Sequence, residues 1–180
     1  MLSIKVTKKP VEHGLQLGKK VYVEKLSNSK ICNAKSLQAD IYGFIAQSIV
    51  CDYFKKELPN FEENNDYDLI IKNKRIDVKK VGYNNNDKRI MILINKRQYE
   101  RKQGKIDYFM FVTFSGTFQQ ILVNDYQLFI PMPEMSNLNI LGYINIKDIE
   151  KNSKVYKFYK GNSICDEAYL LDIASLSPKI

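Results

Sequence analysis

Tyr108–Phe114, reading Tyr-Phe-Met-Phe-Val-Thr-Phe, is the stretch that leaves the chain least choice of fold. It carries no charge and almost no polar atom to offer to water. Such a run is expected as a central strand covered on both faces. The chain must therefore supply covering layers, and residues 37–57 read as the first of them. Leu37, Ile41, Phe44/Ile45, Ser48/Ile49 and Phe54 recur at three- and four-residue steps, the period of an amphipathic helix. Ser36 is placed to cap it and Pro59 to end it. Gly43 in mid-helix costs about 1 kcal/mol against alanine, so close packing is expected there. The polar Gln47 falls inside the same segment.

Between helix and buried strand lies Asp66–Lys80, Asp-Tyr-Asp-Leu-Ile-Ile-Lys-Asn-Lys-Arg-Ile-Asp-Val-Lys-Lys, after the polar loop Glu62-Glu63-Asn64-Asn65. Its Val, Ile, Leu and Tyr mark two short strands, and Lys72-Asn73-Lys74-Arg75 marks the turn. With Asn73 and Lys74 at the tip, Ile71 faces Ile76, Ile70 faces Asp77 and Asp68 faces Lys79. Alternation then places Asp68, Ile70, Asp77 and Lys79 on one face, and Tyr67, Leu69, Ile71, Ile76 and Val78 on the core side. Asp66 joins the first face and is an alternative to Asp68. Clustered carboxylates beside an ammonium group are costly as scaffolding but suit a divalent cation next to a cationic catalytic group. The plainer reading is a cross-strand salt bridge on a solvated face.

The remaining segments read more simply. Leu2–Val6 and Lys20–Leu26 are expected as strands, with breaks at Lys8-Lys9-Pro10 and His13-Gly14. Gly82–Asp87 reads as a loop and Arg89–Ile94 as a third strand. Asn95 is placed to cap a short basic helix over 96–103, with Gly104 as its stop. Gln120–Val123, Asn139–Ile146, Lys154–Tyr159 and Ala168–Ile173 are expected as strands and Ile146–Lys151 as a turn of helix. The closing Leu176-Ser177-Pro178 is expected to dock by its leucine. At 180 residues the expectation is one domain, with a core over 36–114 and a strand-rich extension over 115–180.

Charge points to a partner. Residues 72–105 hold twelve Lys/Arg against three acids, +9 in a chain whose net charge is +8. Basic surplus around a carboxylate cluster suggests a polyanion delivered to a metal; the alternative is a solvated face. Phosphate contacts are expected from Lys74, Arg75, Lys80, Lys96, Arg97, Gln98, Arg101 and Lys102, which position a duplex without reading it. Tyr83, Tyr99 and Tyr108 are candidates for base stacking, with core packing the stronger reading for Tyr108. The three cysteines, Cys32, Cys51 and Cys165, show no CxxC spacing, and His13 is the lone histidine, so reduced thiols and no zinc site are expected. With no membrane-length apolar run and no signal-type leader, the expectation is a cytoplasmic protein with no membrane partner.

Asp68, eight residues, then Asp77-Val78-Lys79 resembles the PD-(D/E)xK nuclease motif, including that of small phage-type or junction-resolving endonucleases. The order helix–strand–strand–strand–helix–strand over 36–114 is similar to that superfamily's core. The resemblance implies an α/β fold with a restriction-endonuclease-like core and mixed central sheet. It implies that Asp68 and Asp77 bind Mg²⁺, with Mn²⁺ as a substitute, helped by the backbone carbonyl of Val78. Lys79 would orient the attacking water and stabilise charge on the phosphate, and Gln47 stands where the family often has a glutamate. The family's proline is absent, Tyr67 preceding Asp68, and the second acid is Asp77 rather than glutamate. A Mg²⁺-dependent endodeoxyribonuclease follows, acting on a junction or a duplex site, with a homodimer as a secondary expectation. The competing expectation is a nucleic-acid-binding module that keeps the fold without the reaction, motivated by Gln47.

Overall fold

In a computed structural model the chain is α/β, and residues 1–27, 33–60, 66–84, 89–160 and 163–179 are described. The expected loop at Glu62–Asn65, most of that at Gly82–Asp87, the side chain of Tyr83 and Cys32 lie outside them. The chain packs as two compact units. One comprises Met1, Asp66–Thr113 and Leu141–Ile180; the other comprises Leu2–Asn65 and Phe114–Ile140.

In the second unit, β1 (Leu2–Lys5) is followed by α1 (Lys8–Ser27) and α2 (Ala34–Tyr53). The expected strand at Lys20–Leu26 is helix instead. The buried positions of α1, Pro10, Val11, Gly14, Leu17, Gly18 and Tyr22, follow the helical period. Pro10 sits in the first turn, where amide hydrogens have no helical partner to lose. His13-Gly14, read as a break, is a contact: a Cβ on Gly14 would come 2.5 Å from the Ile45 backbone, and one on Gly18 2.5 Å from the Ile41 side chain. These two glycines let α1 lie close on α2. Gly43, expected to be the tight position, has nothing within 4 Å of its would-be Cβ. Asn33, not Ser36, caps α2; Ser36 is its reciprocal partner in a capping box, each side chain bonding the other's backbone amide at 3.0 Å.

The buried strand is longer than its apolar run. It is β6 (Tyr108–Val123), and it turns at Asn124-Asp125 into β7 (Tyr126–Asn145). Both turn residues have positive φ, 47° and 64°, the geometry that matches strand twist in a two-residue hairpin. In the second unit β7 lies between β1 and β6, and Tyr42 of α2 packs on Phe114 and Phe118 of β6.

The first unit holds the other end of β6. There β3 (Lys74–Lys80) pairs antiparallel with β2 (Leu69–Ile71) and parallel with β6, so the sheet is mixed. Phe109, Met110, Phe111 and Val112 are wholly buried, as expected of a doubly covered strand. A second sheet has the order β4 (Gly82–Asn84), β5 (Arg89–Asn95), β9 (Ser163–Leu171), β8 (Ser153–Lys160). Gly82–Asn84, expected as loop, thus pairs with the start of β5. The third strand, β5, pairs with β9 rather than with the β2–β3 hairpin. Between β5 and β6 comes α3 (Lys96–Lys102), capped by Asn95 and followed by Gly104 at φ 73°. A turn of 3-10 helix and α4 (Ile149–Asn152) occupy the place expected for a helical turn. Tyr99 of α3, Ile149 of α4, Phe109, Phe111, Ile92 and Tyr169 share one core. Leu176 packs against that core, while Ser177 bridges to Tyr143. Among the described residues, no helix is long and apolar enough to cross a membrane.

Candidate functional site

The hairpin turns at Lys72-Asn73, both at positive φ, 48° and 61°. This is one residue earlier than expected and changes the register: Ile71 pairs with Lys74, Ile70 with Arg75 and Leu69 with Ile76. Moving a turn by one residue shifts the partner of every position by two, so each side chain keeps its face while its neighbour changes. Asp68 thereby moves from opposite Lys79 toward Asp77. Its backbone amide donates to the Ile76 carbonyl at 2.8 Å, and its Oδ2 accepts from the Val78 amide at 2.5 Å.

Asp77 is the centre. It is only 2% exposed, beside Phe109 in the parallel register. Lys79 Nζ lies 2.5 Å from Oδ2, and Lys102 Nζ, from the last turn of α3, 2.7 Å from Oδ1. Lys79 also stands 5.9 Å from the centroid of the Phe109 ring. The two contacts differ in quality. Lys79 is close to Oδ2 but not aligned as a hydrogen-bond donor, and that buried oxygen has no hydrogen bond. Lys102 additionally donates to the Asp66 backbone carbonyl. This is not the solvated salt bridge of the plainer expectation, because the carboxylate is out of water.

Asp68 feels the same environment. Desolvation first, and then the charge of Asp77, push its carboxyl up to about 7; Lys79, the Val78 amide and Lys102 pull the other way without prevailing. Near neutral pH the pair therefore shares less than two full negative charges. Asp66, the alternative ligand, is fully exposed and paired with Lys105 at 2.8 Å, which draws its carboxyl below the usual range.

Among the described residues no three Asp, Glu, His or Cys side chains gather. The two carboxylates are nevertheless the donor set a magnesium ion accepts, since it keeps several waters and needs one or two protein oxygens. Both Asp77 oxygens are hard donors for such a cation, and each now faces an ammonium group. The donor set fits magnesium or manganese and not zinc.

The other expected site residues are dispersed. Gln47 lies on α2, in the other compact unit. Arg75 is turned to Asp107, whose Oδ2 accepts from the Arg75 amide at 2.8 Å and lies 3.4 Å from Nε. Lys96 pairs with Glu167 at 3.0 Å, and Gln98 closes the Asn95 cap through its amide. Lys80 is half-buried, and burial lowers the pKa of its amine. Lys74, Arg97 and Arg101 are exposed. Tyr99, a stacking candidate, is core: it is buried and meets Tyr169 edge to face. Lys102, read as a phosphate contact, is paired with Asp77. A signal for this was present. Tyr99 is the one aromatic residue in Lys-Arg-Gln-Tyr-Glu-Arg-Lys and marks the inward face of α3, and Lys102 is three residues on, along that face.

Comparison with protein-family models, with curated proteins and with solved structures finds no match for the chain.

Proposed function

We propose that the chain is a Mg²⁺-dependent nuclease that hydrolyses DNA phosphodiester bonds at Asp68, Asp77 and Lys79, on a restriction-endonuclease-like core of the PD-(D/E)xK kind. The observation that carries this reading is Asp77: a carboxylate removed from water between two ammonium groups, with a second carboxylate near enough to feel its charge. Two ammonium groups compensate the buried charge, but a buried ion cluster adds little stability over apolar packing of the same volume, whereas a cation-binding site needs the carboxylates.

Asp77 and Asp68 would hold the cation, with Val78 fixing the Asp68 carboxyl through its amide. When bound, Mg²⁺ polarises a phosphoryl oxygen and lowers the pKa of a coordinated water. Lys79 adds a fixed positive charge. Its side chain is 26% exposed, enough to meet a phosphate oxygen presented at Asp77, where it would stabilise negative charge growing on the phosphorus centre. The local surplus of Lys and Arg over 72–105 supports a polyanionic substrate. A homodimer would supply two such sites for paired cuts.

The test is cleavage of supercoiled plasmid and of a four-way junction with Mg²⁺, comparing wild type, Asp77→Ala and Lys79→Ala. Loss of cleavage in both variants is expected, and equal activity in all three would end the proposal. A second reading has its own observation: two ammonium groups already surround Asp77. A nucleic-acid-binding module without catalysis would then bind DNA in a salt-dependent manner, give no heat with Mg²⁺ or Mn²⁺, and cut nothing.

A further inference from the structure

Resting on the nuclease reading, we propose that Lys102 is a positioning residue: the resident counter-cation of Asp77, which yields its carboxylate oxygen to the divalent cation and then faces the substrate phosphate. The residue belongs to a different element from the Asp-x-Lys strand, and its contacts explain why it is there.

Asp77 has two ammonium groups, within 2.5 and 2.7 Å, and they reach different oxygens. Lys79 comes from the same strand and cannot leave the neighbourhood of Asp77. Lys102 comes from α3, its side chain 20% exposed, and bonds both Oδ1 and the Asp66 carbonyl. Its helix is anchored by Tyr99, three residues earlier and buried in the core. The ammonium therefore occupies a position that a divalent cation bound at Oδ1 would contest, since two positive centres held at one carboxylate oxygen repel each other. Displaced from Oδ1, it remains tethered within a side chain's reach of the site. A flexible four-carbon stem with three rotatable donors is suited to such an exchange of partners. The ligand class it would next meet is a phosphodiester, the anion that the cation itself brings.

The consequence is unusual for a functional lysine. Removing it should strengthen metal binding while weakening cleavage. Calorimetric titration with Mn²⁺ alone, without DNA, on wild type, Lys102→Met, Lys102→Gln and Asp77→Asn reads the first half. Lys102→Gln keeps a donor for the Asp66 carbonyl and guards against a folding defect. Lys102→Met and Lys102→Gln are expected to bind Mn²⁺ roughly tenfold more tightly than wild type, given the Coulomb repulsion removed. Asp77→Asn is expected to lose binding. The melting-temperature rise produced by Mn²⁺ should be larger in both Lys102 variants than in wild type, and their kcat for plasmid cleavage at saturating Mn²⁺ should fall. Binding that Asp77→Asn abolishes but the Lys102 variants leave unchanged or weaken would overturn the role of Lys102 alone. Absence of Mn²⁺ binding in wild type and both Lys102 variants would overturn the nuclease reading with it.

Discussion

Asp68 reaches across the hairpin to the amide of Val78 at 2.5 Å, the residue between Asp77 and Lys79. That one bond ties the first carboxylate to the strand that carries the second, and holds the two close enough to repel. Just outside β2, which begins at Leu69, Asp68 owes its position to this tether together with its backbone bond to the Ile76 carbonyl. Asp77 is paired with two lysines, while burial and its charge raise the pKa of Asp68 beside it.

Substituting Asp77 tests how the ion cluster is held. Asp77→Asn preserves shape but leaves Lys79 and Lys102 without their carboxylate, in positions only 26% and 20% exposed. Breaking a buried pair costs about 3–5 kcal/mol, discounted here to about 2–4 for the partial exposure of both lysines. In a chain of this size that is a drop in melting temperature of roughly 5–15 °C. The double variant Asp77→Asn/Lys102→Met should be less destabilised than the sum of its singles, which a thermal double-mutant cycle would measure.

The raised carboxyl of Asp68 sets a pH dependence. Its folded pKa is about 7 against an ordinary 3.8, so between those values the native state holds a proton the unfolded chain has released. The contribution of this group is then greatest below about pH 4, falls as pH rises toward 7, and levels above it, a change of up to about 4 kcal/mol. Asp68→Asn keeps a carbonyl for the Val78 amide and has no proton to lose. In metal-free buffer it should be more stable than wild type at pH 8 and show a flatter profile from pH 5 to 8. Urea melts across that range would show it; a parallel fall in both proteins would place the dependence elsewhere.

Much of this site was legible because strand alternation needs only parity. Asp68, Asp77 and Lys79 shared a face whichever of the two turns closed the hairpin, so the face survived an error in register. The register itself was not legible: Lys72 is an uncommon residue at positive φ, and nothing in Lys-Asn-Lys-Arg distinguished Lys72-Asn73 from Asn73-Lys74. The helix α1 was hidden for a different reason. Gly14 and Gly18 reduce helix propensity locally, and their use is visible only when Ile45 and Ile41 are in place. Likewise β6 outruns its apolar stretch because its later residues alternate in a half-exposed ribbon with β7. Tertiary contacts, not local preference, decide those segments.

The turn at Lys72-Asn73 also offers a stabilising change. Lys72 holds φ 48° and Asn73 φ 61°, a conformation that costs a β-bearing residue such as lysine about 1 kcal/mol or more. Replacing the pair with Asn-Gly suits both positions. The variant is expected to gain about 0.5–1 kcal/mol, read as a higher urea midpoint with unchanged m-value, and to keep whatever cleavage the wild type has. A loss of stability would mean the turn is held elsewhere.

Gly14 and Gly43 make a paired test of the α1–α2 contact. Both sit within helices, where alanine is intrinsically preferred by about 1 kcal/mol. At Gly43 nothing lies within 4 Å of the added methyl, so Gly43→Ala should collect that gain. At Gly14 the methyl would come 2.5 Å from Ile45 Cα and N and 2.7 Å from the Phe44 carbonyl carbon, all backbone that no side-chain rotation can clear. The helices would have to separate, opening the contact around Leu17, Ile41 and Ile45. Overpacking of this kind costs about 1–3 kcal/mol or more and outweighs the propensity gain. Gly14→Ala should therefore melt several degrees below wild type and Gly43→Ala slightly above it. Opposite signs for one substitution in two helices would locate the tight crossing on α1, and equal signs would remove it.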